Sequence, residues 1–219
     1  MRSFGTILVC ATLGLAAFGA TGAQASTNLL ADGGFEAPNI GLGNYIYPGA
    51  TLGAWTYGGS ALVNAEGGSA WYGGAAPAGQ EGLQFAALQG LGDLSQMFTA
   101  SDQTLKLSWL DAGRPNFGCC NGDQVYDVEL NGLSLHGYRT FSGQNFTGES
   151  LLLTGLTVGD SYTLTFHGMV AADETAFLDK VSLIGGVPEP ATWVMMLVGF
   201  GLIGATLRAG PRRQVATAA

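Results

Sequence analysis

Charge is scarce in this chain, and positive charge scarcer still: 11% of the 219 residues are charged, and eight Lys and Arg stand against sixteen Asp and Glu. Between Ser26 and Val187 the imbalance deepens to fifteen acids against Lys106, Arg114, Arg139 and Lys180, a net charge of about −11. Such a body has no basic footprint, and nucleic acid and anionic lipid heads would repel it. Histidine occurs only at His136 and His167, and cysteine only at Cys10, Cys119 and Cys120. That excludes a Cys/His zinc site with ligands close in sequence. Also missing are a Gly-x-Ser-x-Gly elbow, a His-Glu-x-x-His helix and a phosphate loop. Both histidines fall in expected strands, where a hydrogen-bonded structural role is the plainer reading. Fifteen scattered acids guarantee some carboxylate pair at glycosidase spacing, so that signal is empty. The chain is therefore not expected to be an enzyme.

Helical periodicity is the last absence, since no run of ten or more residues in the body carries a helical stripe. What is present instead is alternation. Leu105, Leu107 and Trp109 interleave with Lys106 and Ser108; Val128 and Leu130 flank Glu129; Tyr162, Leu164 and Phe166 interleave with threonines; Phe177, Asp179, Val181 and Leu183 close the body. Asn131-Gly132 predicts a tight hairpin between strands at 128–130 and 133–135, because a type I′ turn needs positive φ at both central residues. Gly159-Asp160 predicts a second turn, between strands at 156–158 and 161–166. With 36 glycines to break it, a body of about 160 residues reads as one all-β domain, a two-sheet antiparallel sandwich.

The two ends read as targeting segments. Arg2, the apolar run Ile7 to Ala20 and Ala23-Gln24-Ala25 have the form of a signal peptide (1–25), cleaved by signal peptidase after Ala25. Near the other end, Ala191 to Leu207 carries no charge, and as a helix it would reach roughly 25 Å, enough to cross a membrane. Pro188 and Pro190 precede it, and Arg208, Arg212 and Arg213 follow and would stay cytoplasmic. The body (26–186) would then face outward, with residues 214–219 as a short tail.

Val187-Pro188-Glu189-Pro190-Ala191-Thr192-Trp193, with Met195-Met196 and Gly199-Phe200-Gly201 behind it, resembles the PEP-CTERM sorting signal of Gram-negative bacteria over residues 187–213. The resemblance implies that an exosortase recognises Pro188, Glu189 and Pro190, together with Trp193 and the arginines, after transient or permanent membrane insertion. The body would then reach the cell surface or the medium. Val194 stands where alanine is usual in that signal, and residues 214–219 extend past its basic end.

A second resemblance covers residues 28–185. Asn28 to Glu36, Trp55, Gly82 to Leu88 and Ala176 to Leu183 are similar to the galactose-binding-like jelly roll found in carbohydrate-binding modules. It implies a structural calcium, with carboxylate oxygens from Glu36 and Asp179 and backbone carbonyls near 32–34. The alternative is that Asp32 and Glu36 cap turns and Asp179 faces water.

Tyr45, Tyr47, Trp55, Tyr57, Trp71 and Tyr72 lie in a glycine-rich stretch from 41 to 79, where exposed rings would offer faces for sugar stacking. Each could instead plug the core; Tyr45 and Tyr47, at period two, must share one fate. Cys119-Cys120 reads as a vicinal ring or a loop staple in an oxidising compartment, or as two free thiols. The functional expectation is a non-enzymatic surface protein that binds extracellular polysaccharide. The alternative is a biofilm matrix component without a ligand pocket.

Overall fold

A computed structural model describes residues 27–67, 70–115, 120–185, 196–202, 204 and 208. The expected signal peptide, the Pro188-Glu189-Pro190 box, Trp193, Arg212, Arg213 and Cys119 lie outside the described residues. Twelve strands follow in order: β1 (Tyr45–Ile46), β2 (Thr51–Leu52), β3 (Trp55–Gly58), β4 (Ala61–Ala65), β5 (Gln84–Gln89), β6 (Asp93–Thr99), β7 (Thr104–Gly113), β8 (Val125–Leu130), β9 (Leu133–Arg139), β10 (Thr147–Thr154), β11 (Ser161–Gly168) and β12 (Thr175–Gly185). They form two six-stranded antiparallel sheets, β1-β4-β5-β12-β7-β10 and β2-β3-β6-β11-β8-β9. The expected sandwich is what the chain forms.

The alternation explains the packing. Along β7, Leu105, Leu107 and Trp109 point between the sheets, where Trp55, Leu94, Tyr126, Phe166 and Leu183 meet them. Asn131 (φ 52°) and Gly132 (φ 77°) make the β8–β9 turn with the positive φ values that the sequence implied. The expected strand at 156–158 is absent: β10 ends at Thr154, and Gly155 (φ 75°) turns the chain out of the sheet. β10 and β11 then belong to different sheets, so the turn at Gly159-Asp160 joins no hairpin.

β12 changes phase midway. Asp179 pairs with Leu110 but Ser182 with Ser108, which leaves one extra residue on β12 at Lys180 (φ 51°). Before this bulge the odd residue Phe177 faces away from the main core; after it the odd residues Val181 and Leu183 face into it. The outer face of the first sheet therefore acquires a second core. Leu62, Phe85, Ala87, Ala112 and Phe177 line it, and Trp71 and Tyr72 from the 66–82 segment, with Phe146, roof it.

Residues 196–202 are helical, and Arg208 is helical and exposed. Among the described residues no helix is long and apolar enough to cross a membrane. The apolar run 191–207 extends beyond the residues described.

Candidate ligand-binding site

The six aromatic candidates separate sharply. Trp55 and Tyr57 are 0% and 3% exposed. Both lie on the inward face of β3 with Thr56 pointing out between them, and the Trp55 indole N–H donates to the Asp32 carbonyl at 3.0 Å. Burial raises the Tyr57 hydroxyl pKa well above its ordinary value. Tyr72 is also buried, its hydroxyl donating to the Ala65 carbonyl and its ring packed against Phe85 and Phe177. These three rings are core, which corrects their assignment as ligand platforms.

Tyr45 and Tyr47 share the opposite fate, at 43% and 47% exposed. Their centroids are 6.1 Å apart at 86°, and Trp71 lies behind both, 5.8 Å from Tyr45 and 6.1 Å from Tyr47. Trp71 is itself buried and serves as backing rather than contact surface. The near-perpendicular planes mean that the tyrosines present one face and one edge rather than a continuous flat shelf.

A polar chain fastens this cluster. The Tyr47 hydroxyl donates to Gln89 Oε1 at 2.5 Å, and Gln89 Nε2 donates to Asp173 Oδ1. Arg114 Nη1 meets the same oxygen at 3.3 Å, while its Nε donates to the Trp71 carbonyl at 3.0 Å and its guanidinium lies 4.2 Å over the Trp71 ring. Burial lowers the Arg114 pKa, partly offset by Asp173; burial and the Asp173 charge raise that of Tyr47. Beyond Gln89 and Asp173 opens a depression of about 380 Å³, floored by Gly90 and Leu91 and edged by Ser60 and Ala171–Asp173. Sequence reasoning missed Gln89, Arg114 and Asp173. The one available signal was that Arg114 is among only four cations in an acidic body.

Glu36 and Asp179 do approach one another, both lying next to Gly34. Asp179 is fully buried, its oxygens accepting the Glu81 and Lys180 amides at 2.6 Å each, which corrects the alternative that it faces water. Burial, with the charges of Glu81 and Glu36 nearby, pushes its pKa up to about 7. Glu36 Oε1 accepts the Leu83 and Gln84 amides at 2.7 and 2.8 Å, while Oε2 has no hydrogen bond among the described residues; Glu81 pairs with Lys180 at 3.4 Å. Asp32 caps its own turn, taking the Glu36 amide at 2.9 Å. A depression of about 350 Å³, lined by Asn28, Gly33, Gly34, Glu36, Glu81 and Lys180, opens over these groups. Among the described residues no three His, Cys, Asp or Glu side chains are grouped as a metal site.

Three remaining candidates are scattered. Cys120 is disulfide-bonded. His167 Nδ1 bonds Asp93 on β6, and His136 is exposed with its ring 4.8 Å from Tyr138.

Residues 186–213 match the family model for the PEP-CTERM protein-sorting motif. The chain thus carries the sorting motif of secreted, exosortase-targeted proteins at the position its sequence indicated. No curated protein matches the chain. Among solved structures it is similar to the carbohydrate-binding module TmCBM61 in complex with β-1,4-galactotriose, at 16% identity and a TM-score of 0.48 over 72% of this chain and 98% of that one. It is also similar to a CBM36 module in complex with calcium and xylotriose (15% identity, TM-score 0.40, 58% and 92% covered). A third likeness is the CBM22-1 xylan-binding domain of Paenibacillus barcinonensis Xyn10C (13%, 0.41, 65% and 95%).

Proposed function

We propose that the body is a non-enzymatic sugar-binding module, exported through signal peptidase and sorted by an exosortase to the surface of a Gram-negative cell or to its surroundings. The observation that carries this reading is the Tyr45–Tyr47 pair: two half-exposed rings backed by Trp71, with the Tyr47 hydroxyl hydrogen-bonded to Gln89, which in turn bonds the Asp173 carboxylate that Arg114 also meets. Sugar rings stack their C–H faces on such aromatics while hydroxyls take the flanking donors and acceptors. The two rings are held in place by the buried Trp71 behind them and by the Tyr47 hydrogen bond to Gln89.

A structural calcium belongs to the same proposal. Glu36 and Asp179 would hold it, with Glu36 Oε2 uncommitted among the described residues and a buried Asp179 that a cation would keep ionised. Such an ion supplies charge compensation and ties the first segment of the body to its last strand.

The test is binding of the purified full-length protein to arrayed neutral and acidic glycans, repeated with Tyr47→Ala and Tyr45→Ala. Each substitution should weaken binding roughly two- to ten-fold, the scale of losing one stacking ring, in a variant that still unfolds cooperatively well above the assay temperature. Silence of the wild-type protein across the array would favour the matrix reading instead.

A further inference from the structure

Resting on that sugar-binding reading, we infer that Arg114 and Asp173 read a vicinal diol on a neutral sugar ring. The inference comes from which atoms of the pair are already spent. Asp173 Oδ1 receives both Gln89 Nε2 and Arg114 Nη1, whereas Oδ2 has no partner among the described residues. Arg114 spends Nε on the Trp71 carbonyl and Nη1 on Asp173, and Nη2 has no acceptor among the described residues. The Arg114 side chain is 8% exposed and that of Asp173 47%. The donor is thus nearly buried beside a half-exposed acceptor, and of the two only Asp173 lines the neighbouring depression.

One unspent donor beside one unspent acceptor selects a ligand by elimination. A carboxylate would satisfy Nη2 but bring its charge against Oδ2, on a body already at about −11. An ammonium would satisfy Oδ2 and be repelled by the guanidinium. A hydroxyl both donates and accepts, so two hydroxyls on adjacent ring carbons fill both positions without a net charge. The pair is preorganised as well: Asp173 is tied through Gln89 to the Tyr47 hydroxyl, which keeps the stacking ring and the polar pair in one frame. The depression of about 380 Å³ beside Gln89 and Asp173 leaves room for the ring that carries the diol.

The experiment measures retention of the purified full-length protein, in detergent, on immobilised β-1,4-glucan, β-1,4-galactan and β-1,4-mannan. Every internal ring of these carries a 2,3-diol. Each polymer is tested before and after periodate, which cleaves vicinal diols to dialdehydes. Controls are a β-1,3-glucan, whose internal rings lack a vicinal hydroxyl pair, and polygalacturonate, which has the diol plus a carboxylate. The expected result is binding to at least one neutral 1,4-linked polymer, lost on periodate treatment, with little or none to the two controls. Asp173→Ala should weaken that binding roughly ten- to a hundred-fold, the range for a hydrogen bond to a charged group, when measured well below the variant's own melting temperature, which loss of the Arg114 counter-charge lowers. Equal retention of periodate-treated polymer, or of the β-1,3-glucan, overturns the diol reading and leaves the sugar platform standing. Tighter binding to polygalacturonate than to the neutral polymers overturns the exclusion of acidic sugars. Binding to no polymer overturns the platform itself.

Discussion

Phe177→Ala and Phe166→Ala should separate the two cores by experiment. Both rings are fully buried. Truncating a buried Phe costs about 3–5 kcal/mol, set by the lost apolar area and by how far the cavity can collapse. Phe166 lies between the sheets, 5.4 Å from Trp109 and 6.3 Å from Tyr126. Both walls there are hydrogen-bonded strands that cannot sink, so the cost belongs near 5 kcal/mol. Phe177 contacts Phe85 at 4.9 Å and Tyr72 at 6.4 Å, under the 66–82 segment. That roof is a loop and can settle into the gap, which brings the cost down to about 3 kcal/mol. At roughly 2–4 °C per kcal/mol for a domain of this size, the melting temperature should fall about 6–12 °C for Phe177→Ala and about 10–20 °C for Phe166→Ala. Settling of the roof moves Trp71 and with it the backing of Tyr45 and Tyr47. Hydrogen exchange within 66–82 should therefore rise, and glycan binding fall, in the milder variant and not in the more destabilised one. The opposite order of melting temperatures, or unchanged protection of 66–82 in Phe177→Ala, would refute the two-core account.

Two further outcomes are expected. Asp179 has a folded-state pKa of about 7 against an ordinary 3.8, so the folded protein holds this proton more tightly than the unfolded chain does. The associated stability is complete below about pH 4 and disappears as pH rises through 7, with a ceiling on the order of 4 kcal/mol. Calcium at Glu36 and Asp179 acts in the other direction by holding the carboxylate ionised. Melting temperatures in chelator should fall between pH 5 and 7.5, flatten in Asp179→Asn, and rise with calcium most strongly above pH 7; a wild-type profile already flat in chelator counts against the shift. Mass spectrometry of the exported protein should find a C-terminus near the Pro188-Glu189-Pro190 box, and one still at Ala219 would argue against exosortase cutting.

Legibility from the sequence followed the range of the interaction. The β8–β9 hairpin was readable because Asn131-Gly132 and its flanking alternation are local, and backbone sterics decide the turn without help from the rest of the fold. Trp55 and Tyr57 were open to misreading because a glycine-rich neighbourhood suggests exposed loop, while Trp55-Thr56-Tyr57 is itself a period-two strand whose large residues must face one way. The phase change in β12 was not readable. Nothing about Lys180 announces a left-handed residue, yet one extra residue there turns Phe177 outward and Val181 inward. Arg114 and Asp173 are 59 residues apart and meet only because β7, which Arg114 follows, neighbours β12, which Asp173 precedes. A pair of this kind has no sequence signature short of the topology.

The charge of the body and the neutrality of its candidate site work together. Fifteen acids against four cations surround a cluster whose one guanidinium is already balanced by Asp173. At physiological salt the Debye length is about 8 Å, so an approaching polymer senses the net surface charge only over the last few contacts. If the site binds sugar as proposed, a neutral chain would lose nothing there and gain stacking and hydrogen bonds. An acidic chain meets repulsion from the body and again from Asp173, with no spare cation among the platform residues to offset it. On the proposed sugar-binding reading, specificity for neutral ligands would be obtained less by added attraction than by rejecting the alternatives, which costs the fold no additional contacts. Arg114 is the pivot of this arrangement. It lies over Trp71 in the roof of the second core and donates to the Trp71 carbonyl, and its pairing with Asp173 would, on the proposed reading, disfavour an anionic ligand.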